Sequence, residues 1–149
     1  MAETPSIETR EEVMFFDTDC AGVVHNLAYL RMIETARTRL AALLGLNLRE
    51  MALTQVFPAL IRTEIDYKRP AVLGDELLIR GRLEAIERAR FWCAFEMNRA
   101  GDGALLVTCR QALALVQMPQ GRPARLPAEW AGRYSALMKT RKATSPTEG

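Results

Sequence analysis

The chain has 149 residues, of which 49% are hydrophobic and 26% charged, with a formal net charge of +2 at pH 7. This length and composition are typical of one globular domain and exclude a largely disordered chain. The small net charge gives no reason to expect nucleic-acid binding, and no apolar run approaches the roughly 20 residues of a membrane-spanning helix. The polar, acidic N-terminal segment is unlike a secretory signal peptide, so we expect a cytoplasmic protein without membrane insertion.

The first part of the chain predicts a strand followed by a long helix. Apolar and charged residues alternate in part over residues 7–16, with a partial period of two in Ile7, Val13 and Phe15, which predicts a strand. Over residues 27–44 apolar side chains recur every three or four positions, which is typical of a helix with one buried face. Asn26 is the predicted N-cap of this helix, and Gly45 is its predicted end.

The rest of the chain predicts an antiparallel sheet. After a short helix over residues 48–53, strand-like alternation follows over residues 59–69, 76–87, 90–99 and 104–118. Another short helix is expected near Trp130. One strand, one long helix and four further strands predict an α+β fold in which the helix covers one face of the sheet. We expect a single domain over residues 1–139 and a disordered tail over residues 140–149, which contain no large apolar side chain.

The connection between the first strand and the long helix holds two aspartates and the only histidine of the chain. Residues 17–29 read D-T-D-C-A-G-V-V-H-N-L-A-Y. This stretch resembles the loop D-T-D-x-x-G-V-V-[HYF]-x-x-x-Y of the 4-hydroxybenzoyl-CoA thioesterase-like branch of the hotdog superfamily, and within it the Tol-Pal-associated acyl-CoA thioesterases. The resemblance extends over residues 12–127. It implies a hotdog fold, in which an antiparallel sheet wraps around a long central helix, and hydrolysis of an acyl-CoA thioester.

The resemblance also assigns roles within this loop. It implies that Asp19 is the catalytic carboxylate, acting as a nucleophile or as a general base for water. Thioester hydrolysis also needs donors aimed at the carbonyl oxygen, and the N–H groups at the start of the helix near Asn26 are suitable because they point along the positive end of its dipole. Gly22 and Val24 are expected to border the substrate. His25 supports catalysis or is simply a loop histidine bonded to backbone, and both alternatives stay open.

Arg88 and Arg90 match basic positions that the resembling thioesterases use near the nucleotide of CoA. Guanidinium groups bind phosphate in a bidentate manner, although two arginines in a solvated hairpin need no ligand to explain them. The resemblance further implies a homo-oligomer with the site between two subunits, a tetramer being preferred over a dimer. One histidine and three scattered cysteines do not form a recognisable zinc pattern, so we expect no metal and no cofactor.

Two other assignments remain to be weighed. Glu34 on the long helix is a competing catalytic carboxylate, although its spacing from Arg31 and Arg37 more simply predicts ion pairs on the helix surface. The chain could also be a hydratase or dehydratase acting on acyl thioesters, or a protein that binds acyl-CoA without turnover. The acyl group, and the choice between coenzyme A and acyl carrier protein, are left open by the sequence.

Overall fold

The computed structural model describes residues 4–139, so the predicted tail over residues 140–149 lies outside the described part. The helices are α1 (Asn26–Leu43), α2 (Leu48–Thr54) and α3 (Trp130–Arg133). The strands are β1 (Ser6–Glu12), β2 (Val56–Tyr67), β3 (Glu76–Ile86), β4 (Phe91–Arg99), β5 (Leu105–Gln117) and β6 (Arg122–Pro123). All pairings are antiparallel in the order β1-β3-β4-β5-β2, with the short β6 added beside β5. The α+β prediction is therefore confirmed.

Helix α1 lies against β1 and β3 and buries one apolar face. That face consists of Ala28, Tyr29, Met32, Ile33, Ala36 and Leu40. Alternate residues of the strands complete the same core, since side chains at every second position of a strand share one face. Burying each large apolar side chain contributes on the order of 1.5–3 kcal/mol, so this packing fixes the position of α1 on the sheet.

The first strand and the helix start differ from the sequence prediction. β1 ends at Glu12, and a single 3-10 turn follows at Phe15–Asp17, because the Asp17 carboxylate accepts a hydrogen bond from the Met14 N–H group at 2.9 Å. Phe15 consequently points outward and is 81% exposed, so the prediction that the strand continues to residue 16 is wrong. The predicted N-cap is also wrong, since His25 caps α1 and Asn26 is its first residue.

Two other element boundaries follow from local chemistry. β2 begins at Val56, ahead of the predicted start, and contains Pro58. Proline is tolerated there because β2 is an edge strand, where a missing N–H group costs no ladder bond on the open side. Gly45 ends α1 as predicted: it adopts a left-handed φ of +89°, and the next residue, Leu46, donates its N–H group back to the Ala41 carbonyl at 2.8 Å.

Candidate active site

The loop between β1 and α1 is a tight, well-anchored turn. The Asp19 N–H group donates to the Val23 carbonyl at 2.9 Å, and the Gly22 N–H group donates to the Asp19 carbonyl at 3.1 Å. Gly22 has a φ of +77° with open space around it, so the backbone conformation and not crowding favours glycine. The Val24 N–H group donates to the Ala71 carbonyl at 2.9 Å, which fastens the turn to the segment before β3.

The two aspartates of this loop have opposite surroundings. Asp17 is 2% exposed, and its carboxylate accepts from the Met14 N–H group and lies 3.5 Å from the Arg31 guanidinium. Asp19 is exposed, and its Oδ1 accepts only from the Ala21 N–H group, at 2.8 Å. Within residues 4–139 its Oδ2 has no hydrogen-bond partner. Asp17 is therefore structural, while Asp19 presents a carboxylate oxygen to solvent.

His25 is bonded to backbone through both ring nitrogens. Its Nδ1 accepts from the Ala28 N–H group at 3.1 Å, which makes it the N-cap of α1. Because Nδ1 must be unprotonated to accept, the proton lies on Nε2, which faces the Phe16 carbonyl at 3.4 Å. The imidazole therefore fixes the start of α1 and the chain before it, and it makes no hydrogen bond to Asp19.

The start of α1 opens onto a cavity of about 330 Å³. The N–H groups of Asn26 and Leu27 belong to the first helical turn, and neither has an acceptor among the described residues. The cavity is lined by Val24, Asn26, Tyr29, Tyr67, Lys68, Arg69 and Pro70. The positive end of the helix, whose first turn has these two unpaired N–H groups, thus lies at the cavity, and Val24 from the turn that carries Asp19 lines it.

Two tyrosines form one wall of this cavity. The Tyr29 hydroxyl accepts from the Ala71 N–H group at 2.9 Å, and its ring centroid lies 5.5 Å from that of Tyr67. Desolvation raises the pKa of Tyr67, so its hydroxyl stays a neutral donor at physiological pH. Sequence reasoning assigned no role to Tyr67, although the segment 66–70 belongs to the matched region.

The predicted phosphate ligands lie at the other end of the sheet. Arg88 and Arg90 are in the hairpin between β3 and β4, whereas the Asp19 turn is fastened beside the start of β3. The eleven residues of β3 span roughly 36 Å at about 3.3 Å per residue. Within one chain, therefore, Asp19, Gly22, Val24 and Asn26 come together, and the two arginines do not join them.

Comparison with known proteins identifies the family. Residues 13–134 match the Thioesterase-like superfamily. The chain belongs to this superfamily. It is similar to a 1,4-dihydroxy-2-naphthoyl-CoA hydrolase of Synechocystis, with 29% identity over 120 residues that cover 80% of this chain and 87% of the relative. A second protein of that name, from Synechococcus elongatus, is 37% identical over 58% of this chain and 65% of its own length.

The fold agrees with this assignment. The crystal structure of a 1,4-dihydroxy-2-naphthoyl-CoA thioesterase from Synechocystis superposes with a TM-score of 0.76 at 26% identity, covering 89% of this chain and 97% of that one. The predicted hotdog fold and the predicted class, a thioester hydrolase, are both confirmed. The Tol-Pal-associated subfamily, the roles of individual residues and the acyl group stay predictions.

Glu34, the competing carboxylate, lies away from the Asp19 turn of this thioesterase-like chain. It is exposed, 3.8 Å from the Arg37 guanidinium, and borders a larger cavity of about 820 Å³ between α1, α2 and β2. The predicted pair with Arg37 is therefore present. Arg31 instead faces Asp17 and Glu11, each at 3.5 Å.

Two kinds of feature are absent from the described residues. Over residues 4–139 no group of three or more His, Cys, Asp or Glu side chains is arranged to hold a metal ion. None of the helices in that range has the length and apolar character needed to cross a membrane.

Proposed function

We propose that this protein hydrolyses an acyl-CoA thioester to a free acid and CoA, with Asp19 as the reacting carboxylate. The observation that carries the proposal is that one short connection holds both an exposed Asp19 oxygen without a partner in the described structure and, at the helix start seven residues on, the unpaired N–H groups of Asn26 and Leu27. A nucleophile or base next to a pair of fixed donors is the arrangement that acyl transfer requires.

The reaction follows from these groups. The thioester carbonyl oxygen accepts from the Asn26 and Leu27 N–H groups, which stabilise the negative charge that develops on it. Asp19 then attacks the carbonyl carbon and expels CoA as the thiolate, leaving a mixed anhydride that water hydrolyses. In the competing route Asp19 removes a proton from the attacking water. Turnover in ¹⁸O-labelled water tests the first route, since ¹⁸O recovered in the Asp19 side chain requires an anhydride.

His25 takes a positioning role in this proposal. By capping α1 through Ala28 it leaves the N–H groups of Asn26 and Leu27 free and fixes the start of the helix at the cavity. Gly22 and Val24 border the substrate by forming the turn and the cavity wall.

The acyl group that we favour is aromatic. The relatives named above act on 1,4-dihydroxy-2-naphthoyl-CoA, according to their names. In this chain the cavity at the start of α1 has a volume of about 330 Å³ and a wall made by the rings of Tyr29 and Tyr67. Flat aromatic groups pack well against such rings, and the Tyr67 hydroxyl can donate to a ring substituent.

We further propose that the active site is completed by a second copy of the chain. β2 is an edge strand of 12 residues that exposes Leu60, Ile61 and Tyr67, whereas the other edge strand, β1, alternates with charged residues. Long apolar edges tend to pair with another strand. When β2 pairs antiparallel with β2 of a second copy about a two-fold axis, the sheet of the second copy runs in the opposite direction. The hairpin of the second copy that carries Arg88 then lies on the same side as Asp19 of the first copy. A dimer is the smallest assembly with such sites, and the predicted tetramer would contain two such dimers.

The direct test is release of CoA from a panel of thioesters with hydroxynaphthoyl, benzoyl, short aliphatic and long aliphatic acyl groups. CoA is separated and quantified by chromatography, because the exposed thiol of Cys20 would react with a disulfide dye. We expect turnover with at least the aromatic substrates. Failure to release CoA from any of them would contradict the proposal, and binding without release would indicate an acyl-CoA-binding protein. Hydration of an enoyl-CoA without CoA release would indicate a hydratase.

A further inference from the structure

Two basic residues border the cavity of about 330 Å³ at the start of α1, and no step of the proposed reaction uses them. Lys68 and Arg69 follow directly after the end of β2, and both belong to the lining of this cavity. Both are exposed, and within residues 4–139 neither forms an ion pair. Their N–H groups both donate to the Leu106 carbonyl, at 2.8 and 3.2 Å. The two cations are therefore carried on a segment that the sheet holds in place.

The other polar groups of this lining can donate hydrogen bonds, and none of the described residues that form it is an aspartate or glutamate. Tyr67 adds a hydroxyl, which stays protonated because desolvation raises its pKa. Asn26 adds a side-chain amide that forms no hydrogen bond within residues 4–139. A cleft lined by charge of one sign raises the local concentration of ligands of the opposite sign. The cavity therefore suits a group that carries negative charge.

The arginines on the strands around this cavity are paired, in contrast to Lys68 and Arg69. Arg62 on β2 lies 2.9 Å from the Glu64 carboxylate, and Arg99 at the end of β4 lies 3.1 Å from the Asp75 carboxylate. The positive charge at the cavity is thus not compensated by the described part of the chain.

We propose that Lys68 and Arg69 determine specificity for acyl groups that carry a second negative charge, such as a carboxylate on an aromatic ring. The ring packs against Tyr29 and Tyr67, whose centroids lie 5.5 Å apart, and its carboxylate meets the two cations at the same cavity. Arg69 can bind a carboxylate through two parallel hydrogen bonds, and Lys68 supplies a compact charge. This inference rests on the proposed function, because it takes the acyl group of the thioester to occupy this cavity.

The test varies the acyl group and its carrier independently, because the phosphates of CoA are the other anions that such cations could hold. Four substrates are compared: the benzoyl and the 4-carboxybenzoyl thioesters of CoA, and the same two thioesters of pantetheine, which has no phosphate. Thiol release is followed by chromatography for the full chain. The quantity compared is the acyl selectivity, defined for each carrier as kcat/KM for the 4-carboxybenzoyl ester divided by kcat/KM for the benzoyl ester.

The variants are Lys68→Met and Arg69→Gln, which remove one charge each and keep most of the length of the side chain. The matched control is Arg122→Gln, an exposed arginine on β6 that does not border the cavity. We expect the wild type to prefer the 4-carboxybenzoyl ester on both carriers. Each variant should lower the acyl selectivity roughly three- to tenfold, as loss of one charge-assisted contact at a partly solvated site does, and the control should leave it unchanged.

The inference is overturned if the wild type does not prefer the 4-carboxybenzoyl ester, or if Arg122→Gln lowers the acyl selectivity as much as Arg69→Gln. It is also overturned if Lys68→Met and Arg69→Gln slow both CoA esters alike and spare both pantetheine esters, which would assign the cations to the phosphates of CoA.

Failure of the proposed hydrolysis is distinguishable from failure of this inference. Turnover with the same acyl selectivity in the wild type and in both variants would uphold hydrolysis and reject the inference. If no thioester releases its thiol, hydrolysis is rejected, and calorimetry with the free acids decides the inference. Terephthalate that binds more tightly than benzoate to the wild type, but not to Arg69→Gln, would uphold it, whereas equal binding of the two acids by the wild type would reject it.

Discussion

Asp17 and Asp19 are separated by one residue, yet their carboxylates serve different purposes. Asp17 is buried and holds the chain that precedes the turn, through the Met14 N–H group and Arg31. Asp19 is exposed and keeps one oxygen without a partner in the described structure. A buried carboxylate that has lost its hydrogen bonds destabilises a fold, whereas an exposed one can change its bonds during a reaction. The chemistry therefore belongs to the second aspartate.

The three cysteines differ in the same way. Burial raises the pKa of Cys93 and of Cys109 to about 12, while Cys20 is exposed beside Asp19. Since the thiolate is the reactive form, iodoacetamide at pH 8 should label the folded protein at Cys20 alone, and mass spectrometry should find one adduct per chain. Cys20→Ser should then remove the labelling. Rapid labelling of Cys93 or Cys109 without denaturant would contradict the described core.

The residues that sequence reasoning identified are those whose role depends on a short local pattern. Asp19, Gly22 and Asn26 lie within one turn, so the order of residues places them together. Tyr67 could not be identified in the same way. It reaches the cavity because β2 ends beside the start of α1. Such contacts depend on strand order, which alternation of side chains does not determine.

At the level of elements, α1 is the part that converts the loop into a site. Its buried face fixes it on the sheet, and its first turn supplies the unpaired N–H groups. The length and the C-terminal end of this helix were predictable from periodicity and Gly45. Its start was assigned one residue too late, because asparagine is a common N-cap and histidine is not. The imidazole of His25 accepts from the Ala28 N–H group, three residues on, as the side-chain oxygen of an asparagine N-cap would.

This geometry predicts a stability change at His25. His25→Ala removes the cap of α1 and should lower the free energy of unfolding by about 1 kcal/mol, measured by urea denaturation. His25→Asn restores a capping oxygen and should recover most of that loss. If His25 acts only through the helix, kcat should fall in the alanine variant and recover in the asparagine variant. A kcat as low in His25→Asn as in His25→Ala, despite recovered stability, would show that the imidazole itself takes part.

At the level of the whole molecule, the two ends of the sheet hold the two halves of the proposed site. The turn that carries Asp19 and the Arg88 hairpin lie at opposite ends of β3, whose eleven residues span roughly 36 Å at about 3.3 Å per residue when extended. A single substrate can reach both only if two chains assemble with opposite orientation. The antiparallel sheet and its α+β class were predictable from the order of elements. The free edge at β2, which makes such an assembly reasonable, became visible only with the strand order.

Subunit complementation tests the shared site. Asp19→Asn subunits and subunits that carry both Arg88→Ala and Arg90→Ala are co-expressed with different tags, and the mixed dimer is purified. If each site takes its carboxylate from one chain and its arginines from the other, one site of the mixed dimer is intact. Its kcat/KM should then reach about half of the wild-type value per dimer. Activity no higher than that of either parent would place the carboxylate and the arginines of each site in the same chain.

The central claim is that the carboxylate of Asp19 performs the hydrolysis, and Asp19→Asn tests it most directly. Asparagine keeps the shape of the side chain and can still accept from the Ala21 N–H group, so folding should be preserved. The matched control is Glu96→Gln, an exposed carboxylate on the central strand β4 without an ion pair in the described chain. We expect kcat for the preferred acyl-CoA to fall at least about 100-fold in Asp19→Asn and to be unchanged in Glu96→Gln, with equal urea denaturation in both. Wild-type turnover by a folded Asp19→Asn protein would contradict the account and make Glu34 the carboxylate to substitute next.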